Sequence, residues 1–363
     1  MKRQKRQAEK FGPLELFAAI ARGRNLHLGN SDDVSQFGKI VLESLKASTE
    51  IPTLLHGKRT EMLFAFVAAG LGKCKMIKSE DAGEFFMKGN LQAPDYRIVL
   101  EDGTQLLVEV KNFYSVDIRK KFVLTREYYA RLDEYAVLQG VQLKIAIYFS
   151  SVNRWTLLSA AAFEKTEKGL EINFLTALAK NEMLSLGDVH IATLPELRLE
   201  MMGDHKEASR IDEDGMASLI FRSGKIFCGG NEILVPLEQR IAFDLLQYGR
   251  WTHEMTPVVK DGKLLGVIFK SSSEEVFEGQ PFAIVGELSS MISEAYTVHT
   301  VRDGKLVAID AAIEPEVLAL SIPHEYKSEQ LPLWRFLIQP NHEWHDANIF
   351  STPSPTQKNC GSH

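Results

Sequence analysis

Residues Ala93-Pro94-Asp95-Tyr96-Arg97-Ile98-Val99-Leu100-Glu101-Asp102-Gly103-Thr104-Gln105-Leu106-Leu107-Val108-Glu109-Val110-Lys111-Asn112 decide how this chain is read. Two runs rich in aliphatic and β-branched residues flank Asp102-Gly103, a strong turn signal, so the stretch predicts two antiparallel strands, about Asp95 to Leu100 and Thr104 to Lys111. A three-residue loop, Glu101-Asp102-Gly103, puts glycine where a left-handed backbone is needed. Leu100 then pairs with Thr104, and counting back sets Asp95 opposite Glu109. Residues opposed across a ladder share a face, and Lys111, two positions beyond Glu109, shares it as well. A two-residue loop would instead shift the pairing by one and send Asp95 to the other side.

On the favoured register Asp95, Glu109 and Lys111 meet at one end of the hairpin. Two neighbouring carboxylates repel and call for a cation. Hard oxygen donors suit magnesium, with manganese able to substitute. An ammonium beside them can orient a water or offset charge on a phosphate, which together equips the site for metal-assisted phosphodiester hydrolysis. Pro94-Asp95 followed by Glu109-Val110-Lys111 resembles the core motif of the PD-(D/E)xK nuclease superfamily, which includes type II restriction enzymes, archaeal junction resolvases and phage-type exonucleases. The resemblance covers roughly residues 55–150. The competing reading is an ordinary hairpin with a surface salt bridge. Glu325-Tyr326-Lys327 serves as an internal control, being the same triplet with no hairpin before it.

Residues 1–10 are polar and basic. Pro13 to Arg22 and Val34 to Ala47 have helical patterns, the second with an apolar stripe of Val34, Phe37, Ile40, Val41 and Leu45. Lys58 to Gly70 predicts a helix buried on more than one side. Glu61, Ala65 and Ala68 form one stripe of it, which would bring Glu61 towards the site. The resemblance gives such a helix an acidic residue of the site, and Glu61 matches by order; the alternative is a first-turn glutamate favoured by the helix dipole. Lys73 to Lys78 predicts the first strand. Glu84, in the following polar connection, is a weaker candidate for a metal contact. Asp117 to Gln139 predicts one long helix, with Leu124, Tyr128, Leu132 and Tyr135 at helical spacing and Gly140 as its C-cap. Arg119, Lys120, Lys121 and Arg126 make its start basic, read either as a phosphate-contacting edge or as a solvated helix face. Gln142 to Ser150 predicts a covered central strand.

Helix, strand, hairpin, helix, strand is the αβββαβ order of the superfamily core. The expected fold class is therefore α/β: a restriction-endonuclease-like αβββαβ core with a helical N-terminal preface and a C-terminal α+β domain. The expected divisions are a preface over 1–50, a nuclease-like domain over 51–200, an α+β domain over 210–350 and a disordered tail over 351–363. A helix is expected around Phe174 to Leu184, a strand over Val189 to Leu194, and a boundary in the polar stretch Pro195 to Asp214. Beyond it, short β-like runs alternate with turns such as Asp261-Gly262 and Asp303-Gly304, with helices at Leu237 to Tyr248 and about Gly286 to Tyr296. His342 and His345 have a spacing that a helix could turn into a metal site, although the surrounding tail is polar.

At 363 residues, 45% hydrophobic and 25% charged, the composition is that of an ordinary globular protein with room for two domains. No apolar run reaches the roughly 18 residues of a membrane span, and no signal-peptide core follows the basic start. Three scattered cysteines suit a reducing cytoplasm and exclude a cysteine-rich zinc site. A net charge of −6 argues against a protein that coats nucleic acid but leaves room for a basic cleft.

The resemblance implies an endonuclease with Asp95, Glu109, Lys111 and Glu61 as catalytic residues. Asp95, Glu109, the Val110 carbonyl and Glu61 would hold magnesium. The implied partners are nucleic acid, DNA ahead of RNA, and a second copy or a larger defence complex, with no membrane. Restriction or antiphage defence is the expected setting. The alternatives are repair or junction resolution, a non-catalytic binding or assembly protein on a nuclease fold, and a non-nucleic-acid hydrolase or interaction protein with a fortuitous motif.

Overall fold

The computed structural model describes residues 8–80, 89–274, 277–315, 322 and 325–345. The basic first residues, Glu84 and the tail over 351–363 lie outside them. Three helices open the chain: α1 (Ala8–Arg24), α2 (Ser31–Thr49) and α3 (Pro52–Gly70). Asn30 caps α2 by accepting from the Asp32 N–H. None of the α2 side chains is fully buried, and Phe37 meets the Phe17 ring edge-on at 5.2 Å. Helix α3 starts with Pro52 at its first turn, where no intrahelical N–H bond is lost. It buries Leu63, Phe64, Phe66, Val67 and Ala68, each large side chain contributing about 1.5–3 kcal/mol of transfer free energy.

The central sheet follows: β1 (Cys74–Ser79), β2 (Tyr96–Leu100), β3 (Gln105–Phe113), then, after β4 (Phe122–Thr125) and α4 (Arg126–Gln139), β5 (Gln142–Phe149) and β6 (Arg154–Leu158). Its spatial order is β1-β2-β3-β5-β6. Only β3 and β5 run parallel, joined by the crossover through α4. Alternation along the strands separates two cores. Tyr96, Ile98, Val108 and Ala146 face α3, while Leu107, Ile145 and Ile147 pack with Leu132 and Ala136 of α4. A small sheet of β4, β7 (Glu164–Lys165) and β8 (Gly169–Ile172) adds Phe122, Leu124 and Leu170 to the α4 side.

The segment 117–139 departs from the single long helix expected of it. Phe122 and Leu124 are buried and alternate with exposed Val123 and Thr125, a period of two that pairs with β8. Helix α4 starts only at Arg126 and ends at Gly140, whose φ of +63° makes the expected cap. The expected helix from Phe174 also breaks early. Helix α5 (Phe174–Ala179) stops before Asn181, whose side-chain oxygen accepts from the Leu157 and Met183 N–H groups and ties the chain to β6.

The stretch 195–214, read as a boundary, opens with a strand. After β9 (His190–Thr193) comes β10 (Glu196–Gly203), then β11 (Phe221–Cys228), β12 (Asn231–Glu232), α6 (Pro236–Tyr248), β13 (Thr252–Lys260), β14 (Lys263–Ser272), β15 (Ala283–Glu287) and α7 (Leu288–Thr300). A short β16–β17 ribbon (Val301–Arg302, Lys305–Leu306) and β18 (Trp334–Phe336) complete the order. Strand β10 is the middle of a five-stranded sheet, β12-β11-β10-β14-β13, and β9 lies between β15 and β18. Polar residues fit β10 because one face of this sheet is wet: Arg198 pairs with Glu200 at 3.2 Å there. Helix α7 packs back on α3. Buried Arg59 of α3 donates to Thr300 Oγ1 at 3.0 Å and Thr297 Oγ1 at 2.9 Å. Among the described residues no helix is long and apolar enough to cross a membrane.

Candidate active site

The hairpin has the three-residue loop. Gly103 sits at φ +87°, its N–H donates to Leu100 O at 3.0 Å, and the Leu100 N–H donates to Thr104 O at 2.9 Å. Asp102 Oδ1 accepts from the Thr104 N–H at 2.9 Å and stiffens the turn. Tyr96 pairs with Val108, so Asp95 stands opposite Glu109 at the next position. Asp95 Oδ2 accepts the Val110 N–H at 2.7 Å. Its backbone carbonyl accepts from Glu80 N at 2.9 Å, which holds the end of β1 against the same corner.

Glu109 is 2% exposed. Its Oε1 accepts from the Tyr128 hydroxyl at 2.7 Å and pairs with Lys111 Nζ. Lys111 lies 4.7 Å from the centre of the Tyr128 ring and 3.3 Å from its hydroxyl. Burial, and then the Glu109 carboxylate, push the Asp95 carboxyl up to about 7; Glu61 adds to this, and the Val110 N–H and Lys111 oppose it. Burial works against the Lys111 charge, yet Glu109 outweighs it and holds the ammonium above the ordinary lysine range. The Tyr128 hydroxyl is pushed up to about 12 by burial and by Glu109, so it is a hydrogen-bond donor at neutral pH.

A buried carboxyl raised by a second carboxylate is a pair short of positive charge. Asp95 Oδ1 and Glu109 Oε2 lie outside the bonds just described. Oxygen donors of this kind, with the Val110 carbonyl beside them, fit a hard divalent cation. Glu61 does not complete a cluster. Helix α3 covers the opposite face of the sheet, the Glu61 carboxylate takes Lys58 Nζ at 2.6 Å, and its charge reaches Asp95 only as a longer-range term. Among the described residues no three His, Cys, Asp or Glu side chains are grouped so as to hold a metal.

The four expected nucleic-acid contacts do not share a helix face. Arg119, Lys120 and Lys121 precede β4, in a turn where Asp117 Oδ1 accepts the Arg119 N–H at 2.9 Å. Lys121 is paired with Glu164 at 2.5 Å and Glu171 at 3.6 Å. Lys120 Nζ lies 6.0 Å from the Phe113 ring. Arg126, on α4, donates to Thr166 O at 3.1 Å. His342 lies within a turn over 341–344, in which Trp344 N donates to Asn341 O at 3.2 Å, and His345 follows it; neither is on a helix. Glu325 and Lys327 lie outside any strand.

Two neighbours of this corner were hidden in the sequence. Tyr128 reads as part of an apolar stripe, and its hydroxyl was the only signal that it carries a polar task. Glu80 accepts from Arg97 at 2.8 and 3.2 Å and from the Tyr135 hydroxyl at 2.9 Å, which fixes the strand end beside Asp95. The Arg97 hydrogen bond, with Tyr135 assisting, outweighs burial and holds the Glu80 carboxyl below its ordinary range.

No protein-family model matches the chain, and no curated protein matches it. Among solved structures it is similar to Hjc, a Holliday junction resolvase from the archaeal hyperthermophile Archaeoglobus fulgidus, with 20% identity and a TM-score of 0.27 over 34% of this chain and 92% of that one.

Proposed function

We propose that this chain is a divalent-metal-dependent endonuclease hydrolysing phosphodiester bonds, DNA ahead of RNA, in the cytoplasm. The observation that carries the reading is the register of the hairpin. It sets Asp95 against Glu109, with Lys111 on the same face and Glu109 almost wholly out of water. A structural ion pair needs one carboxylate, whereas this corner holds two, and the second raises the first.

In the mechanism Asp95, Glu109 and the Val110 carbonyl would hold magnesium, or manganese in its place, and the chemistry such an ion would supply is polarisation of the phosphate and a lowered pKa of water. Lys111 orients the attacking water and offsets charge on the pentacovalent phosphorus. Tyr128 fixes the Glu109 carboxylate and the Lys111 ammonium in one arrangement, so their charge is preorganised in a dry corner. Glu61 contributes charge at longer range. The sheet of β10 to β14 selects what is cut, alone, in a second copy or in a larger complex. Restriction or antiphage defence is the setting we propose for such a pairing of units, by analogy with modular nucleases.

The test is cleavage of plasmid, linear duplex, branched duplex, single-stranded DNA and RNA with magnesium or manganese, against a Glu109→Ala/Lys111→Ala double variant. Cutting that vanishes in the double variant is expected. A wild type that cuts nothing, or a double variant that cuts as well as wild type, overturns the reading. A preference for branched over linear DNA would move the role from defence to junction resolution.

A further inference from the structure

Arg131 stands on α4 one turn beyond Tyr128 and is half-buried. Its guanidinium carbon lies 5.6 Å from the centre of the Tyr128 ring, the same ring that Lys111 approaches. The Gln92 N–H donates to Arg131 O at 3.3 Å, so this turn of α4 is fastened to the segment leading into Asp95. The side chain is therefore placed at the corner that holds Asp95, Glu109 and Lys111.

Its bonding is unusual for that position. Arg131 Nε is buried and has no hydrogen-bond partner among the described residues. A guanidinium stays charged at any working pH and carries five donors in a rigid fork. Leaving a buried donor unmet costs free energy. Asp95 and Glu109 are the acceptors at this corner, yet they take Val110, Tyr128 and Lys111 and no bond from Arg131. Lys111 is paired with Glu109, Lys121 is paired with Glu164, and Lys120 lies against the Phe113 ring. The fork matches the oxygens of a phosphate, which it can take two at a time.

We propose that Arg131 is a phosphate-binding residue of this site, its guanidinium gripping the backbone of a nucleic-acid strand laid against Asp95 and Glu109. The inference rests on the nuclease reading for where the strand lies, and it assigns a contact separate from the basic stretch 119–126. Tyr128 serves both sides of the arrangement, holding Glu109 through its hydroxyl and carrying Arg131 on its ring.

The test is fluorescence anisotropy of a labelled DNA duplex with the full chain in EDTA, so that nothing is cut, at a series of salt concentrations. Arg131→Ala should weaken binding roughly tenfold and reduce the slope of log affinity against log salt by about one. Arg131→Lys should keep the slope and lose part of the affinity, because a point charge replaces the fork. Arg131→Gln, which keeps most of the stem, repeats the measurement if the alanine variant melts early. Unchanged slope and affinity in a variant that melts like wild type overturn the proposal, as does a wild type that does not bind the duplex. The two readings separate cleanly. A slope that falls in a protein that never cuts with magnesium or manganese leaves the phosphate contact and removes the nuclease. Cutting by wild type with no change of slope in Arg131→Ala does the reverse.

Discussion

Half-buried Asp95 and buried Asp188 are two aspartates whose carboxyls are pushed up, to about 7 and about 6, by desolvation first in both cases. Their second neighbours differ. Asp188 is answered by donors at the start of α7: Ser289 N at 2.9 Å and the Ser289 hydroxyl at 2.5 Å. Asp95 receives one N–H and faces Glu109. Burial alone therefore does not mark a working carboxylate. Each also feels a like charge, Glu109 beside Asp95 and Glu287 beside Asp188; what separates the two is that Asp188 accepts both donors of Ser289, whereas Asp95 accepts the single Val110 N–H and stands opposite a carboxylate across the ladder. Asp188 fastens the residues before β9 to the start of α7, and Asp95 is the carboxyl we propose as half of a cation site.

The comparison breaks most visibly in activity. Asp95→Asn should bring cleavage to background, a loss of more than about 10²-fold, while Asp188→Asn keeps cutting; a plasmid assay on both variants checks this. The next effect is on stability and its pH dependence. The native protein holds the Asp188 proton up to about pH 6, whereas an unfolded chain releases it near the ordinary 3.8. Stability from this group is therefore greatest in acid and is lost as pH rises through about 6. Asp188→Asn leaves one Ser289 donor without its acceptor, so it should cost stability near pH 4 and cost less near neutral pH, read by denaturant unfolding at both values. A smaller shift separates the sites by ligand. Magnesium at a hundredfold excess over its dissociation constant should stabilise wild type by about 2.7 kcal/mol and leave the melting of Asp95→Asn unmoved. The smallest concerns Tyr128. Tyr128→Phe removes one donor to Glu109 and should slow cleavage about tenfold, equivalent to ~1.4 kcal/mol, with the divalent-ion midpoint shifted as well. An unchanged midpoint and rate would reduce Tyr128 to packing.

The hairpin was readable because its determinants are local. Gly103 selects the loop, the loop selects the register, and the register places three side chains. Helix α3 and strand β5 were readable from sustained apolar runs. What escaped depends on distant partners. Phe122-Val123-Leu124-Thr125 alternates for only four residues, and Leu124 also falls at helical spacing from Tyr128, so only β8 decides between the two. Strand β10 looked polar because one of its faces is solvated and its partners lie beyond residue 220. Arg131 and Glu80 could not be placed at the site because nothing in their own segments says which way α4 crosses the sheet. The basic stretch 119–126 escaped the helix reading for the opposite reason: its charges are adjacent in sequence, but a turn and a strand spread them, and Lys121 is paired with Glu164 and Glu171.

The seam between α3 and α7 bears on how the protein can be divided. Ile292 and Tyr296 of α7 lie in the same apolar core as Leu63 and Phe66 of α3, with Tyr296 and Phe66 ring centres 5.1 Å apart. Trp155 of β6 donates its indole N–H to Ser293 at 3.0 Å. A shortened chain ending after the small sheet would keep Asp95, Glu109 and Lys111 and lose the wall behind α3, leaving Arg59 facing nothing and Phe66 facing water. The smallest unit that can be made and handled by itself is therefore set by α7, some 180 residues downstream of Lys111, and not by the end of the motif-bearing sheet.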